Sequence, residues 1–427
     1  MKLQCRRKNE PILAQKEYWY KKMNNWYCFM YFVWYNKPIN WINKRTNTKK
    51  DWRAVHMKKD MEYYIKISNE VMLKNLYRRE ELTEKLVSQY LASGKDHICI
   101  IASGSSLNAA MAAEWFMSHH SGNRIAVMSP TEYMDFRKES VKDYFKIVIS
   151  QSGCSTNIIE AVKEMAEEGS RPLVLTGNLE GDIKKYTDNL MEYGVGNESV
   201  DYVTLGMTVL IETLILFVLE TGKRKGFLTQ EYQNLAGELE RCCIANREMY
   251  HKSIPFTETF YNDLLKMDKA IIVADGANMG IAREAALKFG ETLKIPALYY
   301  ESEEYIHGPN MQLTPEYSVF FIDTNKKHNR MYDIFEATGI VTEHTYLITD
   351  KKVPESPKII QAQEQVQSEL TPLYTAVPFQ YIAAHVTKEK NNFECHPLFG
   401  RFEEKIHCKT DDYDEIMENK KRKAEEE

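Results

Sequence analysis

No two of the eight cysteines in this chain stand in C-x-x-C spacing. The adjacent pair Cys242-Cys243 suits neither an ordinary disulfide nor a zinc site. A disulfide scaffold and a cysteine-built metal module are therefore not expected, and reduced thiols in a cytoplasmic protein are. Tryptophan is scarce over most of the chain: five of the six, Trp19, Trp26, Trp34, Trp41 and Trp52, fall before residue 57. The Gly-x-x-x-x-Gly-Lys-Ser/Thr pattern of a nucleoside triphosphate cradle is missing. Near the start, the apolar run at 26–35 is about ten residues, too short to span a bilayer. Its aromatics are mostly Tyr and Trp, which makes a poor secretory core. No membrane partner is expected.

What is present is uneven. The 427 residues, with a net charge of −5, are enough for two or three domains. Residues 1–56 carry 13 Lys/Arg against 3 Asp/Glu, a charge of +10, which leaves −15 on the remainder. This basic, Trp-rich opening lacks helical or alternating periodicity. Residues 1–60 are expected to lie outside the fold, as leader sequence ahead of a start at Met57 or Met61. The alternative, a basic aromatic arm that binds nucleic acid or a membrane surface, has composition alone in its favour.

From residue 61 the pattern becomes regular. Ile65, Ile67, Val71, Met72, Leu76, Leu82, Leu86 and Leu91 predict a helix over 61–92, stopped at Ser93-Gly94. Short apolar runs then alternate with helical stretches: strands at 98–102, 125–128, 144–150, 172–176 and 189–193, helices at 107–119 and 157–168. A long apolar helix at 203–220 closes the unit. The order restarts after a helix at 229–250, with strands at 270–274, 297–300, 318–322 and 345–348, and helices at 281–293 and 379–388. Strands alternating with helices predict parallel sheets covered on both faces, hence an α/β protein. The expected division is a first domain at 61–228, a second at 229–409, and a polar, solvated, mixed-charge tail at 410–427.

Three small-residue or hydroxyl-rich turns follow predicted strands, where open parallel sheets bind ligands. Ser103-Gly104-Ser105-Ser106 opens a helix whose free N–H groups favour an anion. Ser150-Gln151-Ser152-Gly153-Cys154-Ser155-Thr156 sits at a later strand-to-helix turn and contains no Lys, which suits a sugar phosphate. The third is Asp275–Gly280. Simple helix capping by Ser explains either of the first two turns alone; two in succession favour a ligand. On the helix at 281–293, Lys288 and Glu291 share a face. An exposed ion pair is the ordinary reading of such a pair, and Glu284 to Lys288 fits it too. With His307 in Ile306-His307-Gly308-Pro309 sixteen residues beyond Glu291, and with the Ser-rich turns, the set points instead to proton transfer on a phosphorylated sugar.

These residues resemble the sugar isomerase (SIS) family, over roughly 60–410. The isomerase half of glucosamine-6-phosphate synthase reads Cys-Gly-Thr-Ser and Ser-Gln-Ser-Gly-Glu-Thr where this chain has Ser103-Gly104-Ser105-Ser106 and Ser150-Gln151-Ser152-Gly153-Cys154-Ser155. Its Ala-Leu-Lys-Leu-Lys-Glu and Glu-Leu-Lys-His-Gly-Pro match Ala286-Leu287-Lys288-Phe289-Gly290-Glu291 and Glu304-Tyr305-Ile306-His307-Gly308-Pro309. The resemblance implies two tandem SIS domains, each a three-layer αβα sandwich with a mostly parallel, flavodoxin- or Rossmann-like sheet. It implies that Ser105, Ser106, Ser150, Gln151, Ser152 and Ser155 hold the substrate, mainly its phosphate. It makes Glu291 the base and His307 the ring-opening group. Lys288 either steadies a developing enolate-like oxygen or orients Glu291.

Three departures refine the expectation. Residues 1–60 are too short for a glutaminase domain, which speaks against glutamine-dependent amide transfer. The synthase's C-terminal lysine has no clean counterpart, while His396-Pro397-Leu398 resembles a segment of the fructosamine-6-phosphate deglycases. Ile306 replaces a Lys beside the histidine. The expected function is a cytoplasmic deglycase that cleaves a 6-phosphorylated sugar–amine, such as fructoselysine 6-phosphate or glucoselysine 6-phosphate, to hexose 6-phosphate and free amine. No metal or organic cofactor is expected, and a homodimer with shared active sites is. The alternatives are an aldose–ketose isomerase, an amino-sugar phosphate deaminase, or a non-catalytic sugar-phosphate-binding regulator. No helix-turn-helix is evident and the fold is acidic, so nucleic acid is not an expected partner.

Overall fold

The alternation of apolar runs and helices folds as two five-stranded, all-parallel sheets. The computed structural model describes residues 59–426 apart from 201, 230 and 393. The expectations placed on residues 1–58 lie outside the described residues. Helices α1 (Met61–Tyr77) and α2 (Arg79–Ser93) lead into β1 (Ile98–Ile101), α3 (Gly104–Ser121), β2 (Ile125–Met128), β3 (Phe145–Ile149), α4 (Thr156–Glu167), β4 (Leu173–Thr176) and β5 (Leu190–Glu192). Helices α5 (Leu205–Lys225), α6 (Glu231–Thr259) and α7 (Tyr261–Lys266) connect to the second sheet. That half contains β6 (Ala270–Ala274), α8 (Asn278–Lys288), β7 (Ala297–Tyr300), α9 (Ser302–Ile306), β8 (Ser318–Asp323), α10 (Arg330–Thr338), β9 (Thr345–Thr349), β10 (Ile359–Gln361) and α11 (Pro372–Lys390). Helices α12 (Phe399–Glu403) and α13 (Tyr413–Glu426) follow.

The strand orders are β2-β1-β3-β4-β5 and β7-β6-β8-β9-β10, the same arrangement twice. Alternate strand residues face opposite layers, as a pleat requires. Ile98 and Ile100 join the large core that also contains Leu210, Leu214 and Phe217 of α5 and Phe379 of α11. Cys99 and Ile101 face Ile158 and Val162 of α4 in a smaller cluster. In the second sheet Ile272 and Phe320 face the large core, while Ile271 and Phe321 pack against Ile334 of α10. Each sheet is thus an α/β sandwich, and the large core is continuous between them. Helix α5 is long and apolar enough to cross a membrane by composition, yet its apolar stretch, Leu205–Gly222, is buried throughout. A helix apolar on all sides suits such a central position.

Local departures from the sequence pattern have local causes. The helix expected over 61–92 breaks at Arg78, which leaves helical geometry at φ −106°, ψ 19°. The adjoining Asn75 donates to Gly194 O at 3.1 Å and to the buried carboxylate of Glu212 at 3.3 Å. Helix α11 begins seven residues before the expected start and runs through Pro378, because burial of the continuous stretch Pro372–Ala383 around that proline outweighs one lost hydrogen bond. Within the stretch 410–427, expected as a solvated tail, residues 413–426 form α13 instead. Met417 and Ala424 are buried there, and Lys420 Nζ donates to Gly177 O, just beyond β4, at 3.0 Å. The end of the chain therefore returns to the first sheet.

Candidate active site

The two Ser-rich turns lie beyond the carboxyl ends of β1 and β3, which are adjacent in the first sheet. Neither Ser103 nor Ser155 caps its helix through its side chain, so capping does not account for them. Ser103 Oγ accepts instead from Asn157 Nδ2 at 2.9 Å, tying one turn to the other. Gly153 holds φ at +69°, and a Cβ there would lie 2.9 Å from Gly181 Cα. Only glycine lets the second turn close in this way. Ser105 and Ser106 are buried in the first turn of α3. The Ser150 hydroxyl is buried without a hydrogen-bond partner. Gln151 Nε2 donates to Glu198, whose carboxylate also accepts from the N–H groups of Thr204, Leu205 and Gly206.

A lysine reaches the second turn from far along the chain. Lys409 Nζ lies 3.3 Å from both Ser152 Oγ and Ser155 Oγ. Its segment is pinned by Thr410 N–H donating to Cys154 O at 3.0 Å and Thr156 N–H donating to Cys408 O at 3.3 Å. Burial lowers the Lys409 pKa, only partly opposed by Cys408, Cys154 and Glu291. A lysine thus stands at a hydroxyl turn that carries none of its own. Nothing in the local pattern signals it, since 254 residues separate Lys409 from Ser155 and its neighbours are polar.

The second domain supplies the carboxylates. After β6 and the turn at Asp275, α8 runs to Lys288 and passes into a π-helical turn, Phe289–Leu293, that presents Glu291. Such a widened turn often marks a functional position. Lys288 is 1% exposed. Its Nζ lies 2.6 Å from Glu291 Oε2 and 3.5 Å from Glu284 Oε1. The exposed-pair reading therefore fails. Burial works against the Lys288 charge, but Glu284 and Glu291 outweigh it and carry its pKa up. Burial raises the Glu284 carboxyl, against the pull of Lys288, Asn108 and Ser105. Asn108 Nδ2 of α3 donates to Glu284 Oε2 at 2.9 Å, joining the two domains. Glu291 keeps 35% of its side chain exposed, so it is the member of this group that faces out.

Ser105, Glu284, Lys288 and Glu291 thus form one connected group, and Ser152, Ser155 and Lys409 another. Glu291 acts electrostatically on Lys409, and Glu198, which holds Gln151, acts on Lys288. His307 stands apart. It caps the short helix α9, ahead of Gly308 at φ +145°, and is exposed. No hydrogen bond joins it to Glu291 within the subunit. His396 and Leu398 are also exposed, with no link to this group. Sequence reasoning missed Lys409, Glu198 and Asn108. Glu284 carried a signal, its four-residue spacing from Lys288.

The chain is 24% identical over 311 residues to the glutamine–fructose-6-phosphate aminotransferase (isomerizing) of Haemophilus influenzae, covering 68% of this chain and 48% of that protein. It spans about half the length of the curated relatives it matches. Its fold resembles the C-terminal domain of the Francisella tularensis glucosamine-fructose-6-phosphate aminotransferase, with TM-score 0.64 and 21% identity, covering 78% of this chain and 96% of that one. It also resembles tagatose-6-phosphate ketose/aldose isomerase from Escherichia coli, with TM-score 0.60 and 16% identity over 79% of this chain and 96% of that one. Residues 90–218 and 263–387 each match the SIS domain. With two matched segments, two sheets of one strand order and the site at their junction, the chain belongs to the SIS-domain family.

Proposed function

We propose that this protein cleaves a 6-phosphorylated sugar–amine to hexose 6-phosphate and free amine. The observation that carries the reading is the buried Glu284–Lys288–Glu291 group, which holds one half-exposed carboxylate beside hydroxyl turns suited to a phosphate. Lys409 supplies the cation those turns lack locally. In the open-chain substrate, C1 bears the amine and C2 is a ketone. Glu291 removes a proton from C1, and the electron pair moves through the C1–C2 bond to the C2 oxygen, which gains a proton. Returning a proton to C2 and closing the C1–N double bond gives an aldose imine. Water adds at C1, the C1–N bond breaks, and the amine leaves with a proton. A carboxylate suits both transfers because it accepts and returns the same proton. Lys288 is too buried to meet the sugar oxygen, and its two carboxylates favour the positioning role over the oxygen-stabilising one. His307 is assigned to ring opening.

Aldose–ketose isomerisation or amino-sugar phosphate deamination would use the same base, and the names of the relatives favour this second reading. A substrate panel separates them. Fructoselysine 6-phosphate, glucosamine 6-phosphate and fructose 6-phosphate are supplied to the purified protein, and hexose 6-phosphate and free amine are measured. Release of both products from the first substrate, well above the other two, is the expected result. Turnover of fructose 6-phosphate or glucosamine 6-phosphate alone would replace cleavage by the second reading. No turnover of any of them, with binding retained, would favour a sugar-phosphate sensor.

A further inference from the structure

Away from the proton-transfer group, α3 ends in two adjacent histidines. His119 and His120 lie in its last turn, and Glu369, in the short Ser368–Leu370 turn, faces both. His119 Nδ1 is 2.8 Å from Glu369 Oε1, and His120 Nε2 is 3.8 Å from the same oxygen. One ligand-capable atom from each residue lies within 4.8 Å of the others. Successive helix residues point about 100° apart, so convergence of both rings on one carboxylate is not the default. Phe116, one turn back, packs against His120 with ring centroids 4.3 Å apart and holds it there.

His120 is the telling residue. Its side chain is 9% exposed, and Nε2 is buried without a hydrogen-bond partner. A separation of 3.8 Å is too long for a hydrogen bond. It is close to the spacing of two ligands of one metal ion, since bonds of about 2.0–2.2 Å place ligand atoms roughly 3–3.5 Å apart.

The group also borders a cavity of about 660 Å³ lined by Trp115, His119 and Glu369 together with Asp275, Glu301 and Asp323. That cavity sits at the ends of β6 and β8, which occupy in the second sheet the places of β1 and β3 in the first. Five carboxylates line it, alongside Lys327 and Arg330, so its walls are mixed in charge where the first domain offers hydroxyls and a lysine.

We propose that His119, His120 and Glu369 bind a divalent transition-metal ion of the zinc class at the rim of this cavity. Two imidazoles and one carboxylate are ligands such ions take, and three protein ligands leave positions open to water or solute. The full-length protein, stripped with a chelator, is titrated with Zn²⁺ against a chromophoric chelator and with Co²⁺ by visible absorption. One saturable equivalent per subunit is expected, with a Co²⁺ band typical of nitrogen and oxygen ligands. His119→Ala and Glu369→Gln should each weaken binding at least tenfold and remove the band. The Cys395→Ser/Cys408→Ser double variant, lacking two exposed thiols, should bind as the wild type does. The His119 side chain is 73% exposed, so His119→Ala tests the site even if Glu369→Gln folds poorly. The proposal is overturned by absence of a saturable equivalent, by equal affinity in His119→Ala and wild type, or by loss only in the cysteine variant.

Discussion

At the level of single residues, Lys288 decides how Glu291 is read. A helical Lys/Glu pair three apart is usually a weak surface contact, but this lysine is 1% exposed and shared between two carboxylates. Glu291→Gln keeps the shape and removes the basicity. It is expected to lower kcat by about a hundredfold or more, the scale of a lost general base, with the denaturation midpoint nearly unchanged. Near-wild-type turnover would take the role away from Glu291. Lys409→Met is expected to raise KM for a phosphorylated substrate several-fold and to leave KM for its unphosphorylated form unmoved; equal changes in both would show that Lys409 does not read the phosphate. Glu212 gives a test in pH. Burial holds its carboxyl well above the usual range, with Asn75 and Arg78 only partly compensating. The folded state therefore keeps a proton that the unfolded chain releases at about pH 4.3. Stability contributed by that proton falls as pH rises from there through the raised folded-state pKa, by linkage. Glu212→Gln should match the wild type near pH 4 and exceed it near pH 8 in urea denaturation; parallel pH profiles would refute the assignment. The pairing of Lys288 with Glu291 was legible because its three-residue spacing is local, whereas His307, sixteen residues on, stands apart from that group. Lys409 was not, because its contact with the turn is made across 254 residues and its own neighbourhood is polar.

Among the elements, the contact of α3 with α8 carries the site. At Gly280 an added Cβ would lie 2.6 Å from both Asn108 O and Ala112 N, so the helices approach as closely as backbone allows. Gly280→Ala must push them apart. It is expected to cost about 1–3 kcal/mol, the range for overpacking, and to lower kcat as well, because Asn108 holds Glu284, which pairs with Lys288. Denaturation and turnover of the same variant check both; a loss of stability with unchanged kcat would uncouple the helix contact from the chemistry. The strands β2, β6 and β7 lie where the apolar runs placed them; β6 is a fully buried aliphatic run with few other uses, while β7 is an edge strand that leaves Leu298 and Tyr299 exposed. Strand β10 spans three residues, too few for a period to register. Helix α13 is mostly charged, and nothing local distinguishes it from solvated chain; its buried contacts to the first domain exist only once that domain is folded. The π-helical turn at Glu291 was hidden for a related reason. Its residues continue the α-helical pattern, and only the packing around Phe289 and Leu293 reveals the wider turn.

On the scale of the whole molecule, two sheets of one strand order have diverged in what their strand ends offer. The first carries hydroxyls, the second carboxylates, and Glu291, the proposed base, comes from the second domain. One element of that site remains outside the group: His307, exposed at the end of α9 and not hydrogen-bonded to Glu291. We propose that the chain works as a homodimer in which His307 serves the neighbouring subunit's Glu291, as the family resemblance implies. The proposal predicts that two separately inactive variants rescue each other. Glu291→Gln and His307→Ala subunits are mixed after dissociation and allowed to reassociate. In a heterodimer one site holds both lesions and the other neither. With equal random mixing about half the dimers are mixed, so about a quarter of all sites are intact, as two-fold symmetry requires. Recovery of activity to about that fraction is expected, and it should track the proportion of heterodimer measured by native mass spectrometry. If subunits exchange freely and activity stays at the level of the separate variants, both residues act within one subunit; His307 must then reach Glu291 by movement of the Gly308-Pro309 loop.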